Sequence, residues 1–343
     1  MTREEKFLLG AITGAAAMIA GARAMRNRHG IEFRDRVIVI TGGSRGLGLV
    51  IARQLAAEGA RLVLLARDPE ELARARAQLP ADAEVMTLRC DVRRRADIRA
   101  AMDEVLGKWT AVDVLINNAG VVQVGPLEHM THEDFENAMA THFWGPLHLM
   151  FELVPGMRHR GFGRIVNISS IGGRVALPHF APYSASKFAL VGYSDAVRAE
   201  VAKYGIRVTT VCPGLMRTGS AVNALMKGQH DAEFAWFGTL SSMPLVSINA
   251  TRAAQKIVEA ARRGAPHLTI TPQARMAAIL DRLMPNTFGR AMMTAAQALP
   301  RPAGLSGDEA WPGREARPAK LPRLATVLGD RAARRNNELV LTR

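Results

Sequence analysis

The sequence predicts an α/β fold, a doubly wound parallel sheet of seven strands with helices on both faces. Three observations carry this. Short runs rich in Val, Ile and Leu recur between residues 37 and 271, each separated from the next by apolar residues at helical spacing. The run Val37 to Ile40 is continuously β-branched, without the alternation of a strand that has one wet face, so it suits a sheet covered on both sides. No internal repeat or long linker breaks this order before about residue 300, so parallel neighbours joined by helical crossovers follow, with ligands at the carboxyl ends of the strands.

The chain has 343 residues and a formal net charge of +14, which comes mainly from arginine. The arginines are scattered and not interleaved with aromatics in one stripe. That pattern argues against a nucleic-acid surface and fits a solvated Arg-rich exterior with some affinity for anionic lipid. Cys90 and Cys212 are the only cysteines and make no CxxC pair, which suits a reducing compartment. No metal site is predicted.

Residues 1–30 form a segment of their own. Phe7 to Ala22 carries no charge, and Arg23, Arg26 and Arg28 follow at once. The run is shorter than the roughly 20 residues that cross a bilayer comfortably, yet it reads first as a membrane anchor through residues 7–22. A packing or interfacial helix and a cleaved signal peptide are the alternatives. The positive-inside bias then puts the rest of the chain on the cytoplasmic face of a membrane, or in the cytoplasm if the segment only packs.

The main domain is expected over residues 31–272. Its strands are predicted at 37–41, 62–66, 85–89, 112–117, 164–169, 207–212 and 267–271, and its helices around 47–58, 69–78, 96–108, 132–158, 183–204 and 250–263. Apolar residues in 273–300, such as Met276, Ile279, Leu280 and Leu283, predict accessory helices against the domain or a membrane surface. Residues 301–343 are rich in Pro, Gly and Arg and are expected to be largely disordered, with no chemistry assigned.

The first strand runs into Gly42, Gly43, Ser44, Arg45, Gly46, Leu47 and Gly48. Glycines here let backbone N–H groups approach a pyrophosphate, and the helix that opens at Leu47 aims its dipole at that anion. The turn therefore reads as dinucleotide binding. Two alternatives remain at this point: a glycine turn without a ligand, and the GxSxG nucleophile elbow that Gly42 to Gly46 also satisfies.

The second strand ends at Ala66-Arg67, where a carboxylate would take the ribose 2′-hydroxyl of NAD. Arg67, with Arg45 in the turn, could pair with a 2′-phosphate instead, so NADP(H) is favoured over NAD(H). Asp91 and Val92 follow the third strand, where the carboxylate can accept from an adenine amino group. Asn117, Asn118, Ala119 and Gly120 end the fourth, leaving room for a ribose while the amides tie strand ends together. The fifth delivers Ser170 to the same edge. Tyr183 and Lys187 then share a helix face at i and i+4, where an ammonium near a phenol favours its ionised form and suits it to proton transfer.

In order and spacing, Thr41-Gly42, Gly46, Gly48, Asp91, Asn117 to Gly120, Ser170, Tyr183, Lys187 and Pro213-Gly214 with Thr218 resemble the short-chain dehydrogenase/reductase family over about residues 35–272. The resemblance implies a Rossmann-type domain, an NAD(P)(H) cofactor touched by Pro213, Gly214 and Thr218 among others, and a carbonyl or alcohol substrate. It implies Tyr183 as general acid/base, Lys187 holding the nicotinamide ribose and lowering the tyrosine pKa, and Ser170 orienting the substrate oxygen. Ser44 becomes a cofactor-loop residue and the hydrolase reading recedes. One departure stands out: His142 occupies the place of an asparagine that helps hold a water in the family's proton relay. It is either a relay residue or a core histidine with weakened activity.

The segment 214–245, with Leu215, Met216, Phe234, Trp236 and Phe237, joins Val175, Leu177 and Phe180 in suggesting a lipophilic substrate. Self-packing of that lid, or packing against a partner subunit, explains the same residues equally well. Family members are commonly dimers or tetramers, which makes a homo-oligomer an expectation without a number. The competing function is a nucleotide-binding regulatory or scaffold protein with little turnover.

Overall fold

Val37, Ile38, Val39 and Ile40 are all buried and form β1 (Val37–Thr41) at the centre of a parallel sheet, in a computed structural model that describes residues 30–339. The other strands are β2 (Arg61–Ala66), β3 (Val85–Arg89), β4 (Val114–Asn117), β5 (Gly163–Ile168), β6 (Ile206–Cys212) and β7 (His267–Thr269). They lie in the order β3-β2-β1-β4-β5-β6-β7, and every neighbouring pair is parallel. Val39 pairs with Val63 on one side and Leu115 on the other.

Alternation along β1 splits the interior in two. Ile38 and Ile40 join α1 (Gly46–Ala57) and α8 (Ala250–Arg263) on one face. Val37 and Val39 join α3 (Arg95–Trp109) and α5 (Gly145–Arg160) on the other. A strand with an apolar layer on both sides has no use for polar alternation, which explains the unbroken run. The remaining helices of eight residues or more are α2 (Pro69–Arg76), α4 (His132–Met139), α6 (Ala181–Val201), α7 (His230–Ser242), α9 (Pro272–Leu283), α10 (Pro285–Ala296) and α11 (Arg323–Arg335).

Three departures from the sequence reading have physical causes. The helix expected over 132–158 is divided by a wide π-type turn at Ala140–Trp144, beside Pro146, which has no N–H to continue the ladder. The last strand stops at Thr269, and Thr271 accepts from Ala274 N–H to start α9. The third is a correction: the tail expected to be disordered is ordered through Leu339. Trp311-Pro312 pairs antiparallel with Leu225-Met226, which pairs parallel with Gln123-Val124. Helix α11 packs on α7, with Ala333 buried in a cluster that includes Phe234 and Phe237.

Helices α9 and α10 run where accessory helices were expected, and Met276, Ile279, Leu283, Met284 and Met293 are exposed on them. Among the described residues no helix is long and apolar enough to cross a membrane. The anchor expected at residues 7–22 lies outside the described residues.

Candidate active site

Strand β1 turns into α1 through a loop that only glycine can complete. Gly46 has φ +55°, and a Cβ on Gly48 would lie 2.1 Å from the carbonyl oxygen of Gly42. Thr41 Oγ1 accepts from the backbone N–H of Asn118 and of Ala119, each at 2.9 Å. Asn118 Nδ2 donates to Thr41 O at 3.0 Å and to Gly42 O at 3.2 Å. The Asn118 amide thus braces the turn, and Asn117 Nδ2 reaches Asn167 Oδ1 at 2.8 Å to join β4 to β5. Leu47 anchors α1 in the core. Gly48→Ala forces the turn open and is expected to weaken dinucleotide binding about 10- to 100-fold by calorimetric titration, as an overpacking cost of about 1–3 kcal/mol implies.

The charges around the turn are arranged differently from expectation. Arg45 Nη1 is 2.9 Å from Glu71 Oε1 and 3.2 Å from Asn223 Oδ1, and Ser44 Oγ donates to Glu71 Oε2 at 2.9 Å. Arg45 is therefore committed to a carboxylate on α2 and not presented to a 2′-phosphate. Arg67 is exposed at the end of β2. Both Asp91 carboxylate oxygens are held by Arg93, at 2.6 Å for Nη2 to Oδ2. Burial pushes the Asp91 carboxyl up, but hydrogen bonds from Arg93 outweigh it and leave its pKa lowered. Val92 is buried, and its carbonyl would lie 2.9 Å from a Cβ on Gly145.

Ser170, at the end of β5, accepts from Gly172 N–H at 3.0 Å. The first turns of α6 bring Tyr183 to it, with its ring and the serine Oγ both flanking Gly172 and the serine hydroxyl acting on the phenol. Lys187, buried one turn on, donates to Ile168 O at 2.9 Å, with Nζ 5.7 Å from the Tyr183 ring centroid. The three expected residues are thus gathered at one strand end. The expected electrostatics are corrected: burial raises the tyrosine pKa, with Ser170 opposing, and burial lowers Lys187 to about 7. Both charged forms lose hydration in the same enclosed site, which disfavours each of them.

His142 sits in the π-type turn, its ring edge-on to Tyr183 with centroids 5.4 Å apart. Val121 N–H donates to Nε2 at 3.1 Å, and Nδ1 lies 2.8 Å from Ser186 Oγ. Both nitrogens are taken by protein groups, and burial holds the pKa well below the ordinary histidine value. The neutral ring as arranged has no nitrogen left for a relay water. It fits the core-histidine alternative and corrects the relay expectation.

Pro213 O accepts from Ile171 N–H at 2.8 Å, Gly214 packs against Thr271, and Thr218 is buried. Of the lid residues, Phe234, Phe237 and Met226 pack among themselves and with the C-terminal segment. Leu177, Leu215, Trp236 and Tyr183 are partly buried and pack against the same cluster. Phe180 stands between Tyr183 and Trp236, with centroids 5.9 and 5.8 Å away.

The family described as short chain dehydrogenase matches residues 36–227. The chain belongs to the short-chain dehydrogenase/reductase family. A bovine relative, dehydrogenase/reductase SDR family member 7B, is 34% identical over 272 residues, covering 77% of this chain and 82% of its own. Among solved structures, a family member from Burkholderia phymatum in complex with NAD aligns with TM-score 0.67 at 27% identity, over 74% of this chain and 95% of that one. An actinorhodin polyketide ketoreductase with NADPH aligns with TM-score 0.63 at 31% identity, over 70% and 97%.

As a member of this family the chain is an NAD(P)-dependent oxidoreductase, and its turn fits a dinucleotide. A Cβ would fill the cradle at Gly48, and a carboxyl already stands in as an anion: Glu338 lies against Gly46 and accepts from Gly219 N–H. Burial pushes that carboxyl up to about 7. Asn336, Asn337, Glu338 and Glu71 are the residues at this site that sequence reasoning missed. The one available signal was an Asn-Asn-Glu triplet closing an arginine-rich helical pattern. The hydrolase reading finds no support, because Ser44 Oγ faces Glu71 and not a histidine.

Proposed function

We propose that the chain is an NADP(H)-dependent oxidoreductase that moves hydride between nicotinamide and a carbonyl/alcohol carbon of a lipophilic substrate, with Tyr183 as general acid/base. The observation that carries this is the gathering of Ser170, Tyr183 and Lys187 at one strand end, beside the glycine turn. Ser170 accepts the Gly172 N–H, and its hydroxyl, which faces the Tyr183 phenol, would turn its proton to the substrate oxygen. Tyr183 donates its proton to that oxygen on reduction and recovers it on oxidation. Lys187 would hold the nicotinamide ribose, the turn Gly42 to Gly48 the pyrophosphate, and Asp91, Val92, Asn118 to Gly120, Pro213, Gly214 and Thr218 the flanking parts. When bound, the nicotinamide supplies or accepts the hydride.

Phe180 against the Tyr183 ring, with Trp236 behind it and Leu177 and Leu215 packed on the same apolar cluster, supports a lipophilic substrate. Oxidation of NADPH by long-chain and polycyclic ketones, with a small charged keto acid as the contrast, tests this; turnover of the acid alone would defeat it. The NADP(H) preference rests on Arg67, exposed at the end of β2. Arg67→Ala is expected to raise KM for NADPH about tenfold and leave KM for NADH unchanged, the size of one charge-assisted contact at an exposed site.

Membrane association through residues 7–22 belongs to the same proposal, supported by the uncharged run, the arginines after it and the apolar side chains exposed on α9 and α10. The full chain is expected in the high-speed pellet and a chain starting at residue 31 in the supernatant. A homo-oligomer is supported by Trp144, Phe151 and Phe188, which α5, α6 and the turn before them leave exposed. The scaffold reading has one observation in its favour, the raised Tyr183 pKa beside the lowered Lys187. Dinucleotide binding without turnover across the ketone panel would select it.

A further inference from the structure

The turn that should receive the dinucleotide is engaged by the chain's own C-terminal segment. The N–H of Gly46, the first of α1, donates to Asn336 O at 2.9 Å. Asn337 Nδ2 donates to Ser44 O at 2.9 Å and to Glu71 O at 3.0 Å. The Glu338 carboxyl reaches from Gly46 to Gly219, the residue after Thr218, and so bridges the two loops between which a pyrophosphate would lie. Leu339 packs against the apolar cluster formed by Phe180, Phe234 and Phe237, on which Trp236 and Tyr183 also pack. One tetrapeptide thus puts an acidic group at the anion site and an apolar group against the lid cluster.

The segment is latched from outside the site. Arg53 donates to Asn336 Oδ1 at 3.1 Å and to Arg335 O at 2.8 Å, and Arg74 Nε to Asn337 Oδ1 at 3.2 Å. Helix α11 holds it against α7 through Ala333. These contacts order the segment, but its central group is a poor occupant. The buried carboxyl is pushed up to about 7 and brings at most one charge. A dinucleotide brings two phosphate charges and two flanking nucleosides to the same donors, so it can displace the segment.

We propose that residues 336–339 are an autoinhibitory strap that occupies the pyrophosphate place, so that cofactor enters only when the strap lifts away. This rests on the reading that the glycine turn holds the dinucleotide. A site that is competent in one conformer of ten or of a hundred shows an apparent Kd raised about 10- to 100-fold. Glu338→Ala removes the carboxyl and leaves the sheet and Tyr183 untouched.

The test uses the full chain and its Glu338→Ala variant, with NADPH and NADH as probes, reading Kd by calorimetry and amide hydrogen exchange by mass spectrometry. The strap predicts three results: Glu338→Ala binds at least about tenfold tighter, saturating dinucleotide speeds exchange in 333–339, and it slows exchange in 42–49. Slower exchange in 42–49 with 333–339 unchanged and equal affinities would overturn the strap and keep the site. Dinucleotide binding that leaves 42–49 unchanged, or no binding to either protein, would overturn both.

Discussion

Tyr183→Phe lowers kcat/KM for NADPH-dependent ketone reduction by about 10³-fold, within the 10²–10⁴ range expected for loss of a positioned proton donor, and leaves the Kd for NADPH within about threefold. Phenylalanine keeps the ring that packs edge-on to His142 and against Phe180, so the fold and the apolar wall persist. Only the hydroxyl shared with Ser170 is lost. The raised tyrosine pKa keeps the phenol protonated throughout the neutral range, so reduction does not lose its acid there and any neutral-range decline comes from Lys187. Alcohol oxidation needs the ionised form and should climb with pH well into the alkaline range. Stopped-flow rates in both directions check this, and ketone reduction by the variant at the parent rate would remove Tyr183 from proton transfer.

The parts of this site legible in the sequence are those whose residue types are dictated locally. Gly48 is readable because a Cβ would collide with Gly42 only six residues away, and Val37 to Ile40 because a doubly covered strand admits no polar alternation. The parts that escaped depend on partners distant in the chain. Arg45 looks like a phosphate ligand until α2 places Glu71 beside it. His142 looks available for a water until Val121 and Ser186 take both nitrogens.

The tail was the largest miss, and its helix shows why. On α11 the buried face is made of Thr326 and Ala333, with Gly329 meeting Ser242, while Leu324 points outward. Small residues let α11 approach α7 closely, and the period of its sequence is carried by arginines set opposite alanine, glycine and threonine instead of by large apolar side chains. Its Arg-rich remainder then reads as a disordered basic segment. Contact with α7 supplies the order that composition alone does not forecast.

Lys187→Met is the variant in which stability and activity should part. The ammonium is buried, donates only to Ile168 O among the described hydrogen bonds, and has its pKa lowered from 10.5 to about 7 by burial. Between those two values the unfolded chain holds a proton that the folded chain has released, so this group makes stability rise with pH from about 7 to 10.5. Below about 7 the folded protein carries the full cost of a buried cation. Methionine fills the same volume without a charge, so urea midpoints of the variant should exceed those of the parent at pH 6 and lack the parent's gain by pH 10. Turnover should move the other way, with kcat/KM for ketone reduction down about 10²–10⁴-fold as the proton-transfer unit loses its cation. In the parent that rate should decline as pH rises through about 7 and the ammonium is lost, and the variant should show no such limb. A variant that is less stable at pH 6 and equally active would place Lys187 in the frame of the fold and leave Tyr183 to work without it.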